Sequence, residues 1–506
     1  MIRNDLALRN ANIMTMNSRQ PQAEALAVRD GGFVAVGAWH EVAPYAEGIS
    51  VLDLAGKTVL PGFIDSHVHL TWTGLKEVAL DFESAETVDD VQAIMHQAAA
   101  EAPPGQLLFG MGLNQYRFPN RQLPTSADLD AVAPQHPTFI VGVTGHYSLA
   151  NSRCLEGLNL SPGMPGVDPS GLLRDRANTL AERRMRARFT QEQGLDRLHR
   201  AAADRAISVG LTTVHALEGD DQPDDPTIQA LLAVAPKLPL RLVVWYQTMD
   251  VAAVQKLGLR QIGGCILLDG DFGPHTAALL EPYADQPDHR GTLYYTQQEV
   301  DTFVETAHRA GLQIAMHAVG DRAAEQALNA YERALTIWPL ADHRHRIEHF
   351  EIYDETLIGR ARRLAVCLGI QPPFNAHFGG HTRLISILGE ERASRSDPVR
   401  SLIEAGVHVG GGSDSTVTPM QPLYSVYCAV NHSNLAERID VERALQLYTL
   451  DNAALAFEEE EKGSIQVNKL GDLTVLGADP RTVAPAAIAD IPVEMTIVGG
   501  EVVYSR

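Results

Sequence analysis

Two histidines stand two residues apart in the segment FIDSHVHL, at His67 and His69. On a β-strand that spacing turns both side chains to one face, and an H-x-H pair is a good bidentate arrangement for zinc or a similar ion. Taken alone, the pair is as readily two core histidines. Three further segments repeat the chemistry. IAMHAVGD carries His317, RIEHFEI carries His349, and GGGSDSTVTP sets Asp414 between glycines and a polar loop. Any one of these would read as structural, Asp414 as a helix cap. Together, four imidazoles and a carboxylate suit a mono- or binuclear hydrolytic metal site. Water bound to such an ion becomes hydroxide near neutral pH, and Asp414 can take up its proton and pass it to a leaving nitrogen or oxygen.

Each of these residues closes an apolar stretch. Strand-like segments fall at 63–70, 211–217, 240–247, 264–271, 313–319, 346–352, 365–371 and 407–414. Helical patterns such as DTFVETAHRAG and DRAAEQALNAYERAL separate most of them, with apolar residues at three- and four-residue spacing. Eight strands alternating with helices predict an α/β fold, a (β/α)8 TIM barrel whose strand ends line one mouth. The stretch from 70 to 211 is too long for one helix and holds further strands, at 107–112 and 138–144, so an insertion over about 71–205 follows the first barrel strand. Residues 1–60 and 462–506 share a texture of short strands and glycine turns. Because domain termini often lie close together, they are expected to form one composite β-sandwich, leaving 61–461 to the barrel and its insertion.

Bulk properties exclude several other classes. The chain has 506 residues, with 41 Lys+Arg against 63 Asp+Glu and a formal charge of −22. That balance argues against a nucleic-acid partner, which needs basic patches. With 45% apolar and 21% charged residues the chain buries a core and is not disordered. No apolar run approaches the ~18 residues that would cross a bilayer, and no secretory signal is read at the start. Four cysteines make no disulfide framework. A cytoplasmic enzyme with no membrane partner is expected.

PGFIDSHVHL, HAVGDRA, RIEH and GSD, in this order, resemble the amidohydrolase superfamily and, more narrowly, its YtcJ-like branch, which includes N-substituted formamide deformylases. The resemblance covers nearly the whole chain: DVERALQLYTLDNAAL with KGSIQVNKLGDLTVLGADP is similar to the branch's C-terminal helix and returning β-domain, and DIPVEMTIVGGEVVY to its closing hairpin. It implies a distorted barrel, a β-sandwich from both termini, and hydrolysis of an amide-type or cyclic amide C–N bond in a small-molecule substrate, by a homodimer. It also implies that His67, His69 and Asp414 surround one zinc ion and His317 and His349 a second. His146, in the branch's GH element, would polarise the substrate carbonyl. A lactone or phosphoester hydrolase on the same site, or a metal-binding protein without turnover, are the competing readings.

Two positions depart from the branch. Where V-K-[IL]-F-x-D-G usually stands, with a lysine often carboxylated to bridge two metals, this chain reads G-C-I-L-L-D-G, with Cys265 at the lysine position. A thiolate binds zinc well, whereas a small buried cysteine packing in a strand is the plainer reading. In an unbroken strand Cys265 would lie about 13 Å below Asp269, a depth that a lysine spans and a cysteine does not. The second departure is His275, which replaces an arginine in GPHTAAL and is either a substrate contact or a structural loop residue.

Overall fold

We describe a computed structural model covering residues 5–143, 145–160, 164–219 and 225–506. The chain divides into two compact units, Met1–Leu70 with Ala203–Arg506, and Thr71–Ala202. Among the described residues no helix is long and apolar enough to cross a membrane.

In the larger unit eight strands lie side by side in chain order: β1 Phe63–Val68, β2 Leu211–Glu218, β3 Arg241–Tyr246, β4 Gln261–Leu267, β5 Gln313–Ala318, β6 Arg346–His349, β7 Cys367–Ile370 and β8 Val409–Gly411. Every neighbouring pair is parallel. All six residues of β1 are buried, as a strand covered on both faces requires. The outer helices take their registers from local signals. Gln297–Arg309 begins at Thr296, which exchanges hydrogen bonds with Glu299 as a reciprocal cap, and it buries Val300, Phe303, Val304 and Ala307. The barrel closes through the loop after β8. There the Asp414 N–H donates to the His67 carbonyl at 2.8 Å, and the His69 N–H donates to the Ser415 carbonyl at 3.0 Å. A Cβ on Gly412 would stand 2.7 Å from the His67 Cβ, so only glycine admits this approach.

Several strands end earlier than the sequence suggests, β1 at Val68, β4 at Leu267, β6 at His349 and β8 at Gly411 among them, and for β4 and β6 the backbone shows why. Gly263 and Gly264 adopt φ of +85° and +87°. Between the pairs Gly263↔Ala315 and Leu267↔His317 the register shifts, so β4 passes four residues where β5 passes two. This bulge takes up chain length and turns the strand. It corrects the expectation of an unbroken strand over 264–271: Cys265 stands near the level of His317 rather than deep below it, and Asp269 lies beyond the strand. Likewise β6 stops at His349, because His349 and Phe350 have φ of +77° and +52°, which a strand cannot propagate.

Both chain ends build the flanking sheets. A four-stranded sheet runs Gly32–Gly37, Ala25–Arg29, Leu6–Arg9, Ser50–Asp53. A six-stranded sheet runs Glu501–Ser505, Val493–Val498, Leu473–Leu476, Thr58–Pro61, Asn12–Met14, Gln22–Ala23. The ends meet where Leu473–Leu476 pairs antiparallel with Thr58–Pro61. Leu8, Ile13, Leu26, Val59, Val475 and Ile497 belong to one buried core, the apolar sides of both sheets facing inward as in a sandwich.

The smaller unit has its own five-stranded sheet, in the order Leu172–Arg174, Tyr147–Ala150, Thr138–Gly142, Leu108–Leu113, Leu80–Asp81. Alternate residues feed two cores, Phe109 and Phe139 one, Leu108 and Ile140 the other, as period-two side chains must. The strand expected over 138–144 ends at Gly142, and Thr144 lies outside the described residues.

Candidate metal centre

His67 and His69 at the end of β1, Cys265 on β4, His317 on β5, His349 at the end of β6 and Asp414 after β8 converge at the C-terminal end of the barrel. His67, Cys265 and His349 each offer one ligand atom within 4.8 Å of the others, and so do His67, His69 and Asp414. The Cys265 Sγ lies 3.8 Å from His317 Nδ1. Asp414 Oδ1 stands 3.3 Å from His67 Nε2 and 3.1 Å from His69 Nε2. Asp414 takes a φ of +52° and His349 one of +77°, each costing on the order of 1–3 kcal/mol that the surrounding fold must offset.

Each imidazole has one nitrogen committed elsewhere. His67 Nδ1 donates to Glu348 Oε2 at 2.9 Å, and His69 Nδ1 to the Leu217 carbonyl at 3.2 Å. His349 Nδ1 donates to Gln371 Oε1 at 2.7 Å, the amide being oriented by its own Nε2 donating to the Gly369 carbonyl at 3.2 Å. His317 Nε2 donates to the Gly270 carbonyl at 3.3 Å. An acceptor on one nitrogen fixes the proton there and leaves a lone pair on the other. Those lone pairs face Cys265 and Asp414. Among the described residues His67 Nε2, His349 Nε2 and Asp414 Oδ1 are buried without a hydrogen-bond partner. Orphaned buried polar atoms are rare and ask for an explanation such as an ion, and this donor set of imidazole, carboxylate and thiol suits zinc.

The electrostatics agree. Burial opposes charge on His67, but Asp414 outweighs it and holds the imidazole well above its usual range. Burial is likewise overcome at His69, raised to about 10 by Asp414 and Cys265, and at His317, raised to about 9 chiefly by Cys265. Burial raises the Cys265 thiol, but His317, His349, His67 and His69 bring it well below its usual range. Burial raises Asp414 too, and His67 and His69 hold it far down. Two anions therefore draw positive charge onto the cluster, which a divalent cation satisfies in place of protons.

Supporting residues escaped sequence reasoning. Glu348, fully buried, accepts from His67 and pairs with Arg346 Nη2 at 2.7 Å. Arg346 Nη1 in turn lies 3.1 Å from His215 Nδ1, which places His215 in this support and not among the converging ligand atoms. Asp65 Oδ1 accepts from the backbone of His67 at 3.1 Å and of Ser413 at 3.0 Å, tying β1 to the β8 loop. Asp269 accepts from the N–H groups of Ala278, Val319 and Gly320, so it fastens loops. His275 Nε2 meets Asp285 at 2.9 Å within its own loop. His146 belongs to the smaller unit, in the bend before Tyr147–Ala150.

Comparison with known proteins gives this arrangement a family. The chain is 29% identical to a putative amidohydrolase, YtcJ, of Bacillus subtilis, over 98% of each chain. It is 28% identical to the N-substituted formamide deformylase of Arthrobacter pascens, over 99% of this chain and 98% of that one. The structure of an uncharacterized metal-dependent hydrolase from Pyrococcus furiosus superposes with a TM-score of 0.79 at 26% identity, covering 94% of this chain and 100% of the other. The amidohydrolase family model matches residues 50–504. With its barrel and clustered histidines accounted for on that scaffold, the chain belongs to the amidohydrolase family, in the YtcJ-like branch.

Proposed function

We propose that the chain hydrolyses a carbon–nitrogen bond, amide-type or cyclic amide, of a small-molecule substrate, using one or two zinc ions held by His67, His69, Cys265, His317, His349 and Asp414. The observation that carries this is the set of imidazoles whose committed nitrogens leave lone pairs facing a carboxylate and a thiol. When bound, a divalent ion brings the pKa of its water toward neutrality. Asp414, on the rim, would help hold such an ion and would take up a proton from the attacking water and return it to the leaving nitrogen. Glu348, Gln371 and the Leu217 and Gly270 carbonyls keep the four rings turned to the centre. His146 remains the proposed partner of the developing oxyanion, on the family resemblance. Cys265 in place of the branch's lysine supplies a thiolate where a carboxylated amine would otherwise stand.

The test is turnover of a panel of N-substituted amides, cyclic amides, lactones and phosphotriesters, before chelation, after it, and after zinc is restored. Amide hydrolysis that disappears and returns with zinc supports the proposal. Lactone or phosphotriester turnover alone would assign the site to the competing hydrolytic class. Stoichiometric zinc with no turnover of any panel member would favour a binding protein.

A further inference from the structure

Arg346 opens β6 two residues before Glu348, so the two side chains share one face of the strand. Their partners on β1, β2 and β3 put that face inside the barrel, and both residues are fully buried. Arg346 Nη2 donates to the Ser66 carbonyl at 3.0 Å and to Glu348 Oε2 at 2.9 Å. That same oxygen accepts from His67 Nδ1 at 2.9 Å, and Ser66 is the residue before His67. One guanidinium nitrogen therefore closes a loop around His67, holding its backbone through Ser66 and its ring through Glu348. The rest of the guanidinium is fixed as well. Nη1 lies 3.1 Å from His215 Nδ1, and the central carbon lies 4.9 Å from the centre of the buried Trp245 ring. The adjoining strand β7 leaves room for the pair. Gly369 stands opposite Glu348, and a Cβ there would press into Glu348 Oε2 and stand 2.8 Å from Arg346 Nη2.

A buried cation needs partners, and any carboxylate with a second acceptor would meet that need. Burial does not require both acceptors to flank one histidine of the candidate centre. We propose that Arg346 is a positioning residue for the metal: through Ser66 and Glu348 it aims His67 Nε2 at the ion, and zinc affinity depends on it although it supplies no ligand atom. The planar fork suits this task, because it reaches Ser66, Glu348 and His215 at once, whereas a lysine ammonium is a single point of charge. The role rests on the metal centre of the proposed function and adds to it a residue from the barrel interior, joined to five strands.

Competition between the zinc-loaded full chain and a chromophoric zinc chelator reads the affinity directly, with amide turnover measured separately. Arg346→Met should hold zinc about 10- to 100-fold more weakly than the wild type, the loss expected when a ligand histidine loses its oriented partner. Its cobalt-substituted form should show a shifted visible spectrum, which a change in core packing alone would not give. Arg346→Lys keeps a cation in the core without the fork; it should lose about 10-fold and carries the test if Arg346→Met does not fold. Because Arg346 acts mainly through Glu348, adding Arg346→Met to Glu348→Gln should weaken zinc binding less than it does in the wild type. Native zinc affinity and cobalt spectrum in the Arg346 variants, or losses that add in full with Glu348→Gln, would overturn the positioning role. A wild type that binds no zinc would overturn the metal centre and this role with it. Weakened zinc binding in the variants, with no amide turnover by the wild type, would count against the hydrolytic reading alone.

Discussion

Two histidine clusters stand at the two ends of β6, and they are equally tight. At its start His345 packs on His308 and His343 with ring centroids 5.1 and 4.5 Å apart. At its end His349 packs on His67 and His317 at 5.0 and 4.4 Å. Their hydrogen bonding separates them. In the first cluster every ring nitrogen is engaged. His345 Nε2 meets His308 Nδ1 at 2.9 Å, and His308 Nε2 donates to the Trp338 carbonyl at 2.7 Å. His343 Nε2 donates to the Leu364 carbonyl at 2.7 Å, and its Nδ1 accepts from the His345 N–H at 2.9 Å. His345 Nδ1 accepts from the Ile314 N–H at 3.2 Å. Burial pushes His343 down and His345 well below the usual range, whereas Asp414 and Cys265 push the other way on His67, His69 and His317. Closeness of imidazoles therefore does not make a metal centre; lone pairs left beside anions do.

Substitutions in the two clusters should expose the difference. His67→Ala or His349→Ala should take hydrolysis to background, since each removes a lone pair from the centre; near-native turnover in either would defeat the site assignment. Asp414→Asn should fold normally and lose at least ~10²-fold in rate, the order expected of a general acid–base group, and a variant working at the native rate would remove that role. His345→Ala should instead keep turnover within a few-fold and lose ~1–3 kcal/mol of stability, because His308 Nδ1 and the Ile314 N–H lose their partners in the interior. Denaturant unfolding that leaves stability unchanged would contradict that reading.

The smallest expected effect is on pH dependence. A histidine held down in the native state stays neutral while the unfolded chain takes up a proton below about 6.5. Stability contributed by His343 and His345 is therefore complete above that pH and falls as pH drops below it, by at most about 1.4 kcal/mol per pH unit for each. His345→Asn should flatten the decline in urea midpoint between pH 6.5 and 5, and an unchanged slope would show that His345 is not protected.

Much of the candidate centre was legible in the sequence because the residues proposed as ligands sit at or just past strand ends, where period-two alternation and barrel geometry fix their direction. His67 and His69 needed only their spacing, and Asp414 its glycine-flanked position. The supporting residues were not legible, because Glu348 meets His67 across 281 residues and Gln371 meets His349 only once β6 and β7 pair. A regular strand would put Cys265 too deep, whereas Gly263-Gly264 just before it is the kind of pair that marks a bulge. The His308–His343–His345 cluster carried no signal of its own, since nothing in a sequence tells an imidazole bonded at both nitrogens from one that turns a lone pair to an anion.

The central claim is that lone pairs turned toward a carboxylate and a thiol, not clustered rings, hold the metal. Elemental analysis of zinc per chain, on wild type, His349→Ala and His345→Ala equilibrated in the same zinc buffer, tests it directly. One or two equivalents in the wild type, the same number in His345→Ala and a loss in His349→Ala is the predicted pattern. Wild type without zinc above background, or His345→Ala losing metal as His349→Ala does, would contradict it.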